Sequence, residues 1–151
     1  MSEISTNTQK YNSKGSNKRN ERREQREQAF ILIFEHIFLN ETIDMILENS
    51  QSEIEKSSYS YILATLVYQN QKEIDEQIVQ YSTKWKINRI SKVSLAILRL
   101  AICEITKIDK IQVPISVTIN EAVEIAKKYA TPDDASYING VLGALVKDIP
   151  A

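Results

Sequence analysis

An all-α fold of about seven helices follows from three features of this 151-residue sequence. Glycine and proline occur three times each, too seldom to punctuate many short strands. Residues that cost little in a helix, namely Ile, Leu, Lys, Glu and Gln, are plentiful. Apolar residues also recur at helical spacing in one segment after another. With 42% hydrophobic residues, a chain of this length can bury one core, most simply as a single domain.

Residues 1–19 are polar around a lone Ile4 and cannot bury enough apolar surface to order. They are expected to form a flexible tail ahead of one helical domain over 20–151. Phe30, Ile33, Phe34, Ile37 and Phe38 fall at i, i+3, i+4, i+7 and i+8, which predicts a first helix over about 20–39. A short helix near Thr42–Glu48 and a polar break at Asn49–Ser52 follow. A helix over Glu55–Tyr68 turns Tyr59, Ile62, Leu63, Leu66 and Val67 inward, and another over Gln71–Trp85 uses Ile74, Ile78 and Tyr81. Ile90–Lys107 is apolar nearly all round, the mark of a central helix buried on most sides. Pro114 disfavours helix at Val113, and Ser116 is the expected cap of the next helix, which runs to about Ala130. Thr131-Pro132-Asp133-Asp134 then reads as a start signal: a capping hydroxyl, proline at the first helical position, and acids facing the positive end of the dipole. The last helix buries Ile138, Val141, Leu142, Leu145 and Ile149.

Charge and chemistry narrow the function. Residues 1–28 carry a net +3 and the remaining 123 residues a net −4, so a local polyanion site on a mildly acidic domain is expected. The single cysteine, Cys103, cannot form an intrachain disulfide, and no secretory h-region or membrane span is visible, which points to the cytoplasm. One histidine, one cysteine, no zinc cluster and no phosphate loop argue against an enzyme; no catalytic residue, metal, cofactor or small-molecule substrate is expected. His36 and Cys103 are read as structural, and Arg99 is expected to pair with a carboxylate such as Glu104 or Glu121.

The arginines are the informative feature. Arg19, Arg22, Arg23 and Arg26 repeat at i, i+3, i+4 and i+7 and continue the apolar stripe that Phe30 begins. Like charges at i,i+4 repel by about 0.2–0.5 kcal/mol per pair, and cations at a helix N-terminus oppose its dipole. An anionic partner would relieve both, and these four arginines are therefore candidate contacts for a polyanion, RNA among them. The alternative is a solvated face neutralised by Glu21, Glu24 and Glu27. Lys127, Lys128 and Tyr129 end the penultimate helix, where lysines suit the dipole and an aromatic beside them could stack on an unpaired base; Tyr129 is equally in register to be core.

Four segments resemble one family. Arg22-Arg23-Glu24-Gln25-Arg26-Glu27-Gln28-Ala29-Phe30 is similar to the arginine-rich opening helix of NusB proteins. The runs Trp85–Ile90 with Ala96–Glu104, Val113–Lys128 and Tyr137–Leu142 resemble the family's later signatures in order, so that the likeness spans about residues 20–148. It implies two small helical bundles packed across each other. It also implies binding of the boxA element of nascent RNA with ribosomal protein NusE, within an antitermination complex on RNA polymerase over ribosomal RNA operons. By the same resemblance the RNA contacts would be Arg22, Arg23, Arg26, Lys127, Lys128 and Tyr129, with the NusE surface on helices around residues 71–105. Two other readings stand beside it: an RNA-binding module like the appendage of RNA methyltransferases, and a protein–protein scaffold with no RNA role.

Overall fold

In a computed structural model the protein is described over residues 14–50, 53–109 and 112–150. Seven α-helices occur among these: α1 (Lys14–Leu39), α2 (Ile43–Ser50), α3 (Tyr59–Gln69), α4 (Gln71–Tyr81), α5 (Lys92–Lys107), α6 (Ile115–Tyr129) and α7 (Pro132–Lys147), with a 3-10 turn at Ile87–Arg89 before α5. The helices α1, α2 and α3 contact one another as one bundle, and α4, α5, α6 and α7 form a second. α5 belongs to both, because it also packs on α1 and α3. Eleven of its sixteen residues are buried, as its all-round apolar sequence predicts.

Local chemistry sets most boundaries. α1 stops where Asn40 takes a left-handed φ of 54°, a conformation asparagine tolerates, and the Asn40 N–H closes the helix on the His36 carbonyl at 2.9 Å. His36 itself donates from Nδ1 to the Glu41 carbonyl at 2.6 Å and meets the Tyr68 ring edge-on, a structural role. Ser58 and Ser91 cap α3 and α5 by accepting from the Tyr61 and Ser94 N–H groups. Thr131 and Asp134 form a reciprocal capping box at the start of α7, with Pro132 as its first residue.

Several expectations need correction. α1 begins at Lys14, well before residue 20; residues 1–13 of the expected tail lie outside the described residues. α4 ends at Tyr81 instead of Trp85, because Ser82 turns the chain, bonding the Trp85 carbonyl and the Tyr137 hydroxyl at 2.5 Å each, and Trp85 folds back onto the Tyr137 ring. Ser116 is not the cap of α6: Pro114 occupies that position without a side-chain bond. Ile62 and Phe38 are exposed although both sit in apolar registers, and Ile149 lies past the end of α7, partly buried. Arg99 pairs with neither Glu104 nor Glu121. It forms a two-pronged bridge to Asp75 on α4, with both bonds at 2.9 Å.

Arg26 is the most consequential correction. It is only 5% exposed, and its Nε–H is shared between both oxygens of Glu104 at 2.9 Å. Glu104, 2% exposed on α5, also accepts from the Tyr59 hydroxyl of α3 at 2.6 Å and the Thr118 hydroxyl of α6 at 2.5 Å. Four helices thus meet on one buried carboxylate. An arginine stripe dispensable for folding is what the sequence suggests, but Arg26 is part of the core.

Removing one partner of a buried ion pair strands the other charge. Arg26→Ala and Glu104→Ala should each lower unfolding free energy by about 3–5 kcal/mol. Arg26→Met combined with Glu104→Leu should cost less than either single change. Urea denaturation of the three variants checks this, and a double variant no better than the singles would refute it.

Candidate nucleic-acid interface

The arginine segment lies well inside α1. Arg22 is eight positions past Lys14, more than two turns into the helix, so the dipole cost expected at an N-terminus does not apply. The i,i+4 repulsion is relieved as well, since two of the arginines reach carboxylates on other helices. Arg23 forms a fork to Glu121 of α6 at 2.9 and 3.0 Å, with half of its side chain exposed and Glu121 buried beneath. Arg26 is held by Glu104. Glu21 and Glu24 of the same stripe do not supply these partners. The side chain of Arg19 lies outside the described residues.

The two candidate clusters are brought together. The end of α6 runs beside α1, and Glu27 on α1 accepts from Lys128 Nζ at 2.6 Å and, by a shorter bond, from the Tyr129 hydroxyl. The Tyr129 ring rests on Phe30 with centroids 5.1 Å apart yet stays 40% exposed, so it is half core and half platform. Lys127 does not reach Glu27 and pairs instead with Glu124 on its own helix at 3.4 Å. The Lys127 and Lys128 side chains are both mostly exposed.

Two depressions follow this seam. One, of about 430 Å3, is lined by Arg22, Arg23 and Arg26 on one wall and by Gln112, Pro114, Ser116 and Asn120 on the other. The second, about 370 Å3, is bounded by Glu27, Lys127 and Lys128. They share Arg23 and Glu121, which makes one groove running from the α5–α6 connection to the end of α6. The polar wall at Gln112, Ser116 and Asn120 was not marked by the sequence, since isolated amides and hydroxyls carry no pattern. Glu27 was marked only as a neutralising acid; its partners turn out to lie about a hundred residues away. Among the described residues no cluster could hold a metal ion, and no helix is long and apolar enough to cross a membrane.

The Lys128 hydrogen bond, followed by that of Tyr129, holds the Glu27 carboxyl below its ordinary value of 4.5. A carboxyl depressed in this way contributes stability above its unfolded pKa and loses it as pH falls through the folded one. The difference in unfolding midpoint between wild type and Glu27→Gln should therefore be constant from pH 8 to about 5 and shrink below roughly 4.5. Thermal melts across that range test it; a gap that persists into acid would show that Glu27 acts by packing instead of charge.

Comparison with known proteins gives this geometry a setting. The NusB family model matches residues 23–147. A transcription antitermination protein NusB of Acetivibrio thermocellus is 49% identical over 109 residues, covering 71% of this chain and 72% of its own length. That of Natranaerobius thermophilus is 41% identical over 130 residues, covering 82% and 92%. Among solved structures, T. maritima NusB superposes with a TM-score of 0.72 at 33% identity, over 84% of this chain and 91% of that one. A complex of antitermination factors NusB and NusE with double-stranded RNA shares the fold at a TM-score of 0.71 and 22% identity, over 86% and 98%. These relatives are named as antitermination factors, not as enzymes. The seven-helix architecture and the family match over most of the sequence agree, and the chain belongs to the NusB family.

Proposed function

We propose that this chain is a cytoplasmic transcription antitermination factor that binds boxA-type single-stranded RNA together with ribosomal protein NusE, on RNA polymerase transcribing ribosomal RNA operons. The observation that carries the RNA part is the single groove between α1 and α6, which joins Arg22 and Arg23 to Lys127 and Lys128, with Tyr129 tied to its wall through Glu27. Arg22 and Arg23 meet phosphates at its rim, with Arg19 extending the same helix face. Arg26, buried on Glu104, takes part by holding α1 in place. The preference for unpaired RNA rests on Tyr129, whose exposed ring offers a stacking face that a duplex cannot use. The complex of NusB and NusE with double-stranded RNA and the antitermination relatives support NusE and RNA as partners, while the preference for an unpaired strand rests on Tyr129 alone. Most of α5 is covered by other helices, so within residues 71–105 the NusE surface falls on α4 and the 3-10 turn, where Val79 is exposed.

A short basic rim offers few phosphate contacts, so binding alone should be weak and clearly tighter with NusE. Gel shifts with boxA-like and scrambled RNA, with and without NusE, test the reading. Equal affinity in all four arms would overturn it, and a chain that binds NusE but no RNA in any arm would favour a scaffold.

Arg22→Ala with Arg23→Ala should lower RNA affinity and reduce the log–log salt slope by about 0.7 per lost contact, while the fold survives. An unchanged slope would remove both residues from the interface. Tyr129→Ala should weaken binding by at least about tenfold, or about 1.4 kcal/mol, within the range of roughly 1–3 kcal/mol that stacking on an aromatic contributes. Tyr129→Phe keeps the ring and should bind nearly as well. An Ala variant that binds normally below its melting temperature would show Tyr129 to be core alone.

A further inference from the structure

Arg22 differs from its neighbours. Arg23 and Arg26 each reach a carboxylate, whereas among the described residues Arg22 makes no ion pair. Its guanidinium instead lies over the Tyr59 ring, with Cζ 3.7 Å from the centroid, and the same side chain lines the groove.

Tyr59 is itself fixed. It is the first residue of α3, and its hydroxyl donates to Glu104, which Arg26 and Thr118 also hold. The position of the Arg22 plane is therefore set by the core through a ring and a buried carboxylate, although arginine normally carries a large rotamer entropy. A freely moving cation would serve to neutralise phosphate. A planar cation pinned on one face can do more while its charge still faces a phosphate: guanidinium planes, like aromatic rings, stack on unpaired bases, and a group already ordered loses less on binding.

We infer that Arg22 is a base-stacking platform for single-stranded RNA and that Tyr59 is its positioning residue. This rests on the RNA-binding reading above and deepens it. Arg22 and Glu27, which holds Tyr129, are five positions apart, about 7.5 Å along α1. Arg22 then offers a stacking face inside the groove and Tyr129, tied to the groove wall through Glu27, offers a second beside its other end, so that two different bases are gripped with phosphate contacts between them.

The test uses the full chain with NusE and boxA-like RNA carrying 2-aminopurine at one position at a time, which reads stacking as loss of fluorescence. One position should be quenched through Arg22. Arg22→Lys keeps the charge and removes the plane; it should abolish that quenching and weaken binding by at least about fivefold, with the salt slope unchanged. Tyr59→Leu should do the same at the same position, while Tyr59→Phe keeps the quenching even if its melting temperature falls. Arg22 is not buried, so Arg22→Lys remains a folded test should the Tyr59 variants fail to fold. If wild type binds with its full salt dependence and Arg22→Lys matches it in affinity and quenching, Arg22 is a point charge and the inference falls while the RNA-binding reading stands. If wild type binds no RNA, both fall.

Discussion

The structure turns on one buried negative charge. A carboxylate taken from water into a helical core is tolerated only when donors surround it, and Glu104 has three: the Arg26 guanidinium, the Tyr59 hydroxyl and the Thr118 hydroxyl. Each comes from a different helix, so satisfying Glu104 fixes α1, α3 and α6 against α5. Apolar packing alone would press these helices together without setting their rotation. The carboxylate sets it, because a slip of α1 by one residue would remove Arg26 from reach. A second, half-buried bridge, Arg99 to Asp75, does the same for α4. α5 is thus a spine with a charged bolt on each side, and the groove exists because α1 and α6 are held to it at fixed registers.

Much of this was legible in the sequence, for identifiable reasons. The helices announced themselves through apolar periodicity, and Thr131–Asp134 marked the start of α7 because a capping box is local chemistry. The central place of α5 was visible in its all-round apolar character. The failures lie where a residue's fate depends on distant partners. Arg26 shares its register with Arg22 and Arg23, and nothing local says that it alone faces Glu104, 78 residues on. Arg99 pairs with Asp75 and not with Glu104, which lies five positions on along the same helix and faces Arg26. Periodicity assigns a face but not its limits, so Ile62 and Phe38 passed as core.

The candidate site was half legible. The two basic clusters could be named from sequence, and their adjacency follows from α1 and α6 lying side by side. What could not be read was the division of labour among the arginines: one buried in the scaffold, one forked to Glu121 at the groove rim, one laid on a tyrosine. Identical residue types at identical spacing became three different physical objects, distinguished only by what the other helices present to them. The polar wall contributed by Gln112, Ser116 and Asn120 was equally invisible, since it comes from the connection and first turns of another helix.

The acidic partners along the groove have one more consequence. Glu121 under Arg23 and Glu27 between Lys128 and Tyr129 mean that much of the positive charge facing the groove is balanced before any polymer arrives. A naked run of phosphates would exchange one ion pair for another and gain little. Such a surface is not indiscriminately adhesive to polyanions, in spite of its arginines. What remains to tip the balance is the part of a nucleic acid that internal carboxylates cannot imitate: the flat, apolar face of a base. On the proposed RNA-binding reading, the carboxylates would work as a filter, raising the threshold for charge so that shape and ring chemistry decide which strand stays.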